Sequence, residues 1–116
     1  MKIRIKGNSL RYRLSKLEVE LFTETEKIAE LTEFGNQSLQ YVLQRYDGDE
    51  LSAQFNNNTI TLFMPATMAN EWANTNRVGF DNGTAPLFLL VEKDFQCLDN
   101  VTEDQSDNYP NPLLRC

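Results

Sequence analysis

Residues 51–65 read LSAQFNNNTITLFMP, and they form the clearest hairpin pattern in the chain. Two predicted strands, residues 51–55 and 59–64, flank three asparagines, a residue type that tolerates positive φ and so suits a tight turn. Pro65 follows where a proline is favoured, in the first turn of a helix. Met68 and Trp72 then fall one turn apart on a single face. The stretch therefore predicts a hairpin that leads into a short helix ending near residue 74.

The start of the chain predicts the same order of elements. Ile3 and Ile5 alternate with basic residues, which is the period of a half-buried strand, and a turn at residues 7–9 leads into a second strand over residues 10–14. Ser15 and Glu18 have the spacing of a capping box, so a helix should follow. We expect its apolar side to carry Leu17 and Leu21, with Val19 and Phe22 beside them.

Further strands are predicted after each helix, over residues 27–34 and 39–46 in the first half and over residues 77–80 and 87–95 in the second. A shift of the chain by fifty positions aligns the two halves and superimposes Phe22 on Trp72. Both an internal duplication and two independent amphipathic units of like topology are compatible with this match. The predicted fold is α+β: two hairpin-helix-hairpin units forming a largely antiparallel sandwich or small barrel with two short helices.

The domain prediction is a single α+β domain over residues 1–95, with halves 1–50 and 51–95, followed by an acidic, proline-containing tail over residues 96–116. The tail includes Asp107-Asn108-Tyr109-Pro110-Asn111-Pro112, an extended stretch whose tyrosine can bury its ring and still hydrogen-bond. We expect this stretch to dock on the core or on the basic face of the protein itself, with a partner protein as the alternative.

Composition restricts the environment and the ligands of the chain. With 116 residues, 41% of them hydrophobic, it is of ordinary globular composition. Its net charge of −6 disfavours general binding to nucleic acid or to an anionic membrane. No segment has the apolar length of a signal peptide or a membrane span, so we expect a cytoplasmic protein in which Cys97 and Cys116 are thiols.

Catalytic motifs are missing from the sequence. The chain has no histidine, which removes the most common general base and every Ser-His or Cys-His nucleophile pair. It also has no glycine-rich phosphate loop and no CxxC pair. We therefore do not expect an enzyme.

A basic first hairpin is the main candidate site. If its strands pair, five side chains share one face and could bind phosphate or carboxylate groups: Lys2, Arg4, Lys6, Arg11 and Arg13. Three interpretations stay open, namely a solvated sheet face, a face covered by the acidic tail, and a site for an external nucleotide, RNA or acidic protein segment. Tyr12, the one aromatic residue of the hairpin, should point to the apolar side, which disfavours base stacking and hence nucleic acid.

The tail supplies the second candidate site. Cys97, Asp107 and Cys116, with other nearby carboxylates, could complete a zinc site, because thiolates and carboxylates are zinc ligands. The spacing of the two cysteines is loose for a structural site. The alternative is that Cys97 packs as a small apolar residue and that the tail stays an unpacked acidic segment.

Two resemblances bear on these expectations. The opening MKIRIKGNS, the stretch from Trp72 to Gly79, the run LLVEKDF with Cys97-Leu98 after it, and the terminal DNYPNP together resemble an uncharacterised family of short single-domain bacterial proteins. This resemblance implies a bacterial source and no particular activity. Residues 59–65 and the helix after them are locally similar to half of a swapped-hairpin or cradle-loop barrel. Asn76-Arg77 stands where those halves have a Gly-Asp turn, so DNA binding is not implied.

The function predicted from the sequence is non-catalytic binding or regulation, with the basic hairpin as a site for an anion or an acidic segment. The alternative is a metal- or thiol-dependent site at Cys97 and Cys116, and a carboxylate-only enzyme comes third. The predicted partners are a protein or an anionic ligand.

Overall fold

A computed structural model describes residues 1–95 of the chain, and the predicted order of elements is observed there. The elements are β1 (Lys2–Lys6), β2 (Ser9–Leu14), α1 (Lys16–Thr25), β3 (Lys27–Glu33), β4 (Ser38–Tyr46), β5 (Ser52–Asn56), β6 (Thr59–Pro65), α2 (Ala66–Asn74), β7 (Gly79–Asp81) and β8 (Phe88–Lys93). Within this range neither helix combines the length and the apolar character that crossing a membrane requires.

The strands form two four-stranded sheets, and each sheet combines one hairpin from each half of the chain. The first sheet has the order β1-β2-β8-β7 and the second β3-β4-β6-β5. The hairpins are antiparallel, but each sheet is joined at its centre by a parallel pair, β2 with β8 and β4 with β6. The α+β prediction is confirmed. Between residues 1 and 95 neither sheet closes into a barrel.

The two halves have matching strand registers. Lys2 lies opposite Arg13 in the first hairpin, and Ser52 lies opposite Phe63 in the third. Each residue of the second pair is fifty positions after its counterpart in the first pair. The other two hairpins match in the same way: the β3–β4 pairing and the β7–β8 pairing coincide after the same shift. Only the central parallel pairs have different registers in the two sheets, and the difference is two residues. Because side chains alternate along a strand, a shift of two keeps each side chain on the same face of its sheet. The fold is therefore close to twofold symmetric within one chain.

One core is shared by both sheets and both helices. Phe22 of α1 and Trp72 of α2, equivalent positions of the two halves, meet edge to face with ring centroids 6.4 Å apart. Tyr12 of the first sheet is fully buried, and its hydroxyl donates a hydrogen bond to the carbonyl of Ile60 in the second sheet at 3.0 Å. The core thus crosses the boundary between the halves, as expected for units that cannot bury their apolar faces alone.

Helix α1 begins with the predicted capping box but buries a different face from the one expected. The Ser15 side chain accepts from the Glu18 amide, and the Glu18 carboxylate accepts from the Ser15 amide at 2.9 Å. The buried residues are Val19 and Phe22, whereas Leu17 is 73% exposed. Leu17 and Val19 lie about 200° apart around a helix of 3.6 residues per turn, so only one of them can face the core. The prediction that Leu17 and Leu21 form the packed side was wrong.

The first residue is held at the start of this helix. The Met1 ammonium donates to Glu18 and, at 2.7 Å, to Glu30 of β3. Burial opposes the charged forms, but the hydrogen bonds and opposite charges outweigh it, so the pKa of the Met1 ammonium is raised and that of Glu18 is lowered. The group thereby joins β1, α1 and β3.

These pKa shifts predict a window of stability in pH. A lowered carboxyl pKa contributes stability above its unfolded value, about 4.3, and loses it as the pH falls through the folded pKa. A raised ammonium pKa contributes stability below its unfolded value, about 8, and this contribution is lost as the pH rises through the folded pKa. In protein whose chain starts at Met1, Glu18→Gln should therefore lower the free energy of unfolding by about 1 kcal/mol near pH 6 to 7. The loss should be smaller at acid and at alkaline pH.

The measurement is urea unfolding of wild type and variant at acid, neutral and alkaline pH. The glutamine keeps the cap hydrogen bond, so the difference reports the charge. Glu20→Gln, an exposed position on the same helix, is the matched control and should show no such window. A cost for Glu18→Gln that is equal at all three pH values contradicts the prediction.

Candidate functional site

The outer face of the first sheet collects the five predicted cations. In the β1–β2 register Lys2 lies opposite Arg13, and Arg4 lies opposite Arg11, while Lys6 lies opposite Ser9. Directly opposed residues of an antiparallel pair project to the same side. The structure therefore brings together on one surface the side chains that the sequence singled out, here called the basic face: Lys2, Arg4, Lys6, Arg11 and Arg13.

A buried carboxylate lies at one end of this face. Glu92 of β8 is 8% exposed and is the one buried residue with a charged side chain among residues 1–95. Its Oε1 accepts from Nε and Nη2 of Arg13 at 3.0 and 2.8 Å, and Nε of Arg11 lies 3.8 Å away. Two guanidinium groups around one carboxylate offset the cost of burying it. This end of the face therefore holds one of the protein's own carboxylates.

The same end carries a second ion pair. Lys2 Nζ lies 2.8 Å from Asp94, just after β8. The lysine side chain is 74% exposed, so this pair contributes little to stability. Glu92 and Asp94 lie just before the acidic tail in the sequence, and both contact cations of the basic face.

The opposite end of the face is an open hollow. It measures about 170 Å³ and is lined by Arg4, Lys6, Ser9, Leu10, Arg11 and Phe88. Arg4 and Arg11 both already have interaction partners, so a ligand would exchange with these contacts. The hollow offers two guanidinium groups and an ammonium, which suits carboxylate or phosphate oxygens. The Ser9 hydroxyl beside them donates to the Lys6 carbonyl at 2.6 Å.

An apolar groove continues from this hollow around the tip of the hairpin. Ser9 and Leu10 line both spaces, and the groove, about 480 Å³, extends to Leu39, Ile60 and Leu87. Ile5 and Phe55, equivalent residues of the two halves, form its rims and are 61% and 70% exposed. The strand pattern places Ile5 on the apolar side of β1, yet its side chain and that of Phe55 are exposed.

Sequence reasoning missed two members of this surface, Glu92 and Phe88. Glu92 directly follows the apolar run Leu89-Leu90-Val91, which marks a charge within a predicted strand. Such a charge needs a partner when it is buried. That signal was available, but the partner became evident only from the β2–β8 pairing, in which Arg13 lies beside Glu92.

The second candidate site, at Cys97, Asp107 and Cys116, lies outside the described residues. Within residues 1–95 no group of three or more histidine, cysteine, aspartate or glutamate side chains is arranged to hold a metal ion. The zinc hypothesis for the tail stays a prediction, as does the docking of residues 107–112.

Comparison with known proteins gives a family and no activity. No curated protein and no solved structure matches the chain significantly. A family model does match, over residues 1–113, and its description is a family of unknown function, DUF7009. The chain belongs to this family.

Proposed function

We propose that this protein is a non-catalytic binding or regulatory domain whose basic face binds the carboxylate groups of an extended acidic protein segment. The observation that carries the proposal is the arrangement at Glu92. Arg13 and Arg11 surround this buried carboxylate, and Lys2 pairs with Asp94 beside it. One end of the face thus already performs the recognition that we infer for the other.

The open end has the chemistry for further carboxylates. Arg4 and Arg11 are opposed across the hairpin, and Lys6 and Ser9 follow one step along the strands. Planar guanidinium groups bind carboxylates through paired hydrogen bonds, which gives geometric selectivity as well as charge attraction. The face gathers five cations, and their combined field attracts negative charge.

An acidic protein segment fits this face better than a nucleic acid does. Single-stranded nucleic acids bind where several exposed aromatic rings alternate with cations. Tyr12 is fully buried under this sheet, and a single half-buried ring, Phe88, lines the hollow. The net charge of −6 also repels a polyanion at long range, whereas a short acidic segment needs only the local field of the face. We take the chain to act in a bacterial cytoplasm, in keeping with its thiols and the lack of a long apolar run.

Binding of a fluorescent oligoglutamate peptide at low salt tests the proposal. Replacing Arg4 and Lys6 together by glutamine should weaken binding about tenfold, equal to about 1.4 kcal/mol, because both cations are lost from the hollow. Raising the salt concentration should weaken binding of the wild type as well.

The matched control replaces Lys16 and Lys27 by glutamine, which changes the net charge equally at exposed positions that do not line the hollow. This variant should bind within about twofold of wild type, which is about 0.4 kcal/mol. Equal weakening in both variants, or no binding to wild type, would contradict the proposal. A single-stranded oligonucleotide that binds more tightly than the peptide, with the same dependence on Arg4 and Lys6, would show that the ligand is a nucleic acid and not an acidic protein segment.

A further inference from the structure

The basic face and the apolar groove form one continuous surface with two kinds of chemistry. Ser9 and Leu10 border both parts. Isolated exposed apolar residues are ordinary, but Ile5, Phe55 and Leu87 meet at one groove, and contiguous apolar patches of this kind mark binding sites. An occupant that fills both parts needs acidic groups at one end and apolar groups at the other.

The surface also has a direction. Asp94 lies at the Lys2 end of the basic face, because it pairs with Lys2 there. Strand β1 runs from that end towards Lys6, and the groove beside Ile5 and Gly7 lies beyond it. A segment that continues from residue 95 along β1 therefore passes the cations first and the groove second.

The sequence after residue 95 has its groups in this same order. All four acids precede the cluster of apolar residues near the end, although Leu98 and Val101 lie among the acids. The acids are Asp99, Glu103, Asp104 and Asp107, and the apolar cluster is Tyr109, Pro110, Pro112, Leu113 and Leu114. The length suffices, because residues 96–108 can extend to about 40 Å and β1 is only about 17 Å long. Two prolines restrict the unbound chain and so lower the entropy cost of fixing it.

We infer that residues 96–116 occupy this surface in the same molecule, with the acids against Arg4, Lys6 and Arg11 and residues 109–114 in the groove. The inference rests on the proposed function, since it assigns the regulation of the same basic face. An external acidic segment then has to displace the protein's own tail. The tail sets a threshold that weak acidic ligands do not pass, and a partner with an acidic and then apolar sequence competes best.

A nitroxide label at Cys116 of the full chain, with Cys97 replaced by serine, tests the inference without any ligand. We expect the label to broaden the amide signals of Gly7, Asn8 and Gln54, which border the groove. The signals of Asp47 and Gly48 should keep their intensity, because they follow the far end of β4. Phe55→Lys should abolish the broadening, and an unchanged Trp72 indole signal would show that this variant is folded.

Three outcomes would overturn the inference. The first is no broadening at the groove, and the second is equal broadening over the whole surface. The third is found by mixing isotope-labelled protein with separate nitroxide-labelled molecules. Broadening in that mixture would show that the groove binds a second copy of the chain. The peptide assay separates this failure from failure of the proposed function. Oligoglutamate binding without groove broadening would support the proposed function and contradict docking of the tail. Groove broadening without peptide binding would support docking of the tail and contradict the proposed function. If both hold, Phe55→Lys should bind the peptide more tightly than wild type.

Discussion

Replacing Trp72 by alanine should lower the free energy of unfolding by about 3–5 kcal/mol, a large part of the stability of a domain of this size. Trp72 is fully buried and packs edge to face on Phe22, which joins the two halves of the chain. Removing the indole leaves a cavity at this junction, because Trp72 fills the space between the two helices and the sheets. Urea unfolding followed by far-ultraviolet circular dichroism measures the loss.

Two further variants separate the ring from its polar group. Trp72→Phe keeps most of the packing and loses the hydrogen bond from Nε1 to the Val78 carbonyl at 2.9 Å. That carbonyl still accepts from the Lys93 amide, so the expected cost is only about 1 kcal/mol. Leu17→Ala, at an exposed position of α1, should stay within about 0.5 kcal/mol of wild type. A loss for Trp72→Ala no larger than that for Leu17→Ala would contradict the central role of this contact.

Local sequence signals predicted the elements because the interactions behind them are local. Asn57 and Asn58 both adopt positive φ in the turn between β5 and β6, as the run of asparagines indicates. The capping box at Ser15 depends on residues three apart, and the spacing alone identified it. The fifty-residue alignment likewise paired Phe22 with Trp72 before their contact was known.

The pairing of the halves could not be predicted in this way. The central parallel pairs join strands far apart in sequence, and nothing local to β2 indicates that β8 lies beside it. The choice of the Val19 face of α1 over the Leu17 face has the same origin, because both faces are apolar and only the position of α2 and the sheets decides between them. The exposure of Ile5 also follows from how the two hairpins meet.

The candidate site was half predictable for the same reason. Alternation along β1 and β2 was enough to gather five cations on one face. The carboxylate that organises them arrives on β8, through a long-range pairing, and the groove forms only where tips from both halves approach each other. The sequence could identify the charges on one hairpin, whereas their partners and the neighbouring apolar surface depend on the complete fold.

Arg13→Met should lower the free energy of unfolding by about 2 kcal/mol, because it leaves the buried carboxylate of Glu92 without its two hydrogen bonds from the guanidinium group. Removing one partner of a fully buried pair costs about 3–5 kcal/mol, and the smaller figure reflects that the Arg13 side chain is still 31% exposed. Methionine retains an apolar stem of similar length, so the lost charge accounts for most of the difference. Urea unfolding at neutral pH provides the measurement.

Two matched variants decide whether the cost comes from an unpaired carboxylate. Glu92→Gln combined with Arg13→Met should be more stable than Arg13→Met alone, because the double variant no longer buries a charge beside an apolar side chain. Lys2→Met, on the same face but in the exposed pair with Asp94, should change stability by no more than about 0.5 kcal/mol. If Lys2→Met and Arg13→Met cost the same, or if the double variant is the least stable of all, Glu92 does not organise the basic face. Arg11 and Arg13 would then be solvated surface cations, and the support that Glu92 gives to carboxylate recognition would be lost.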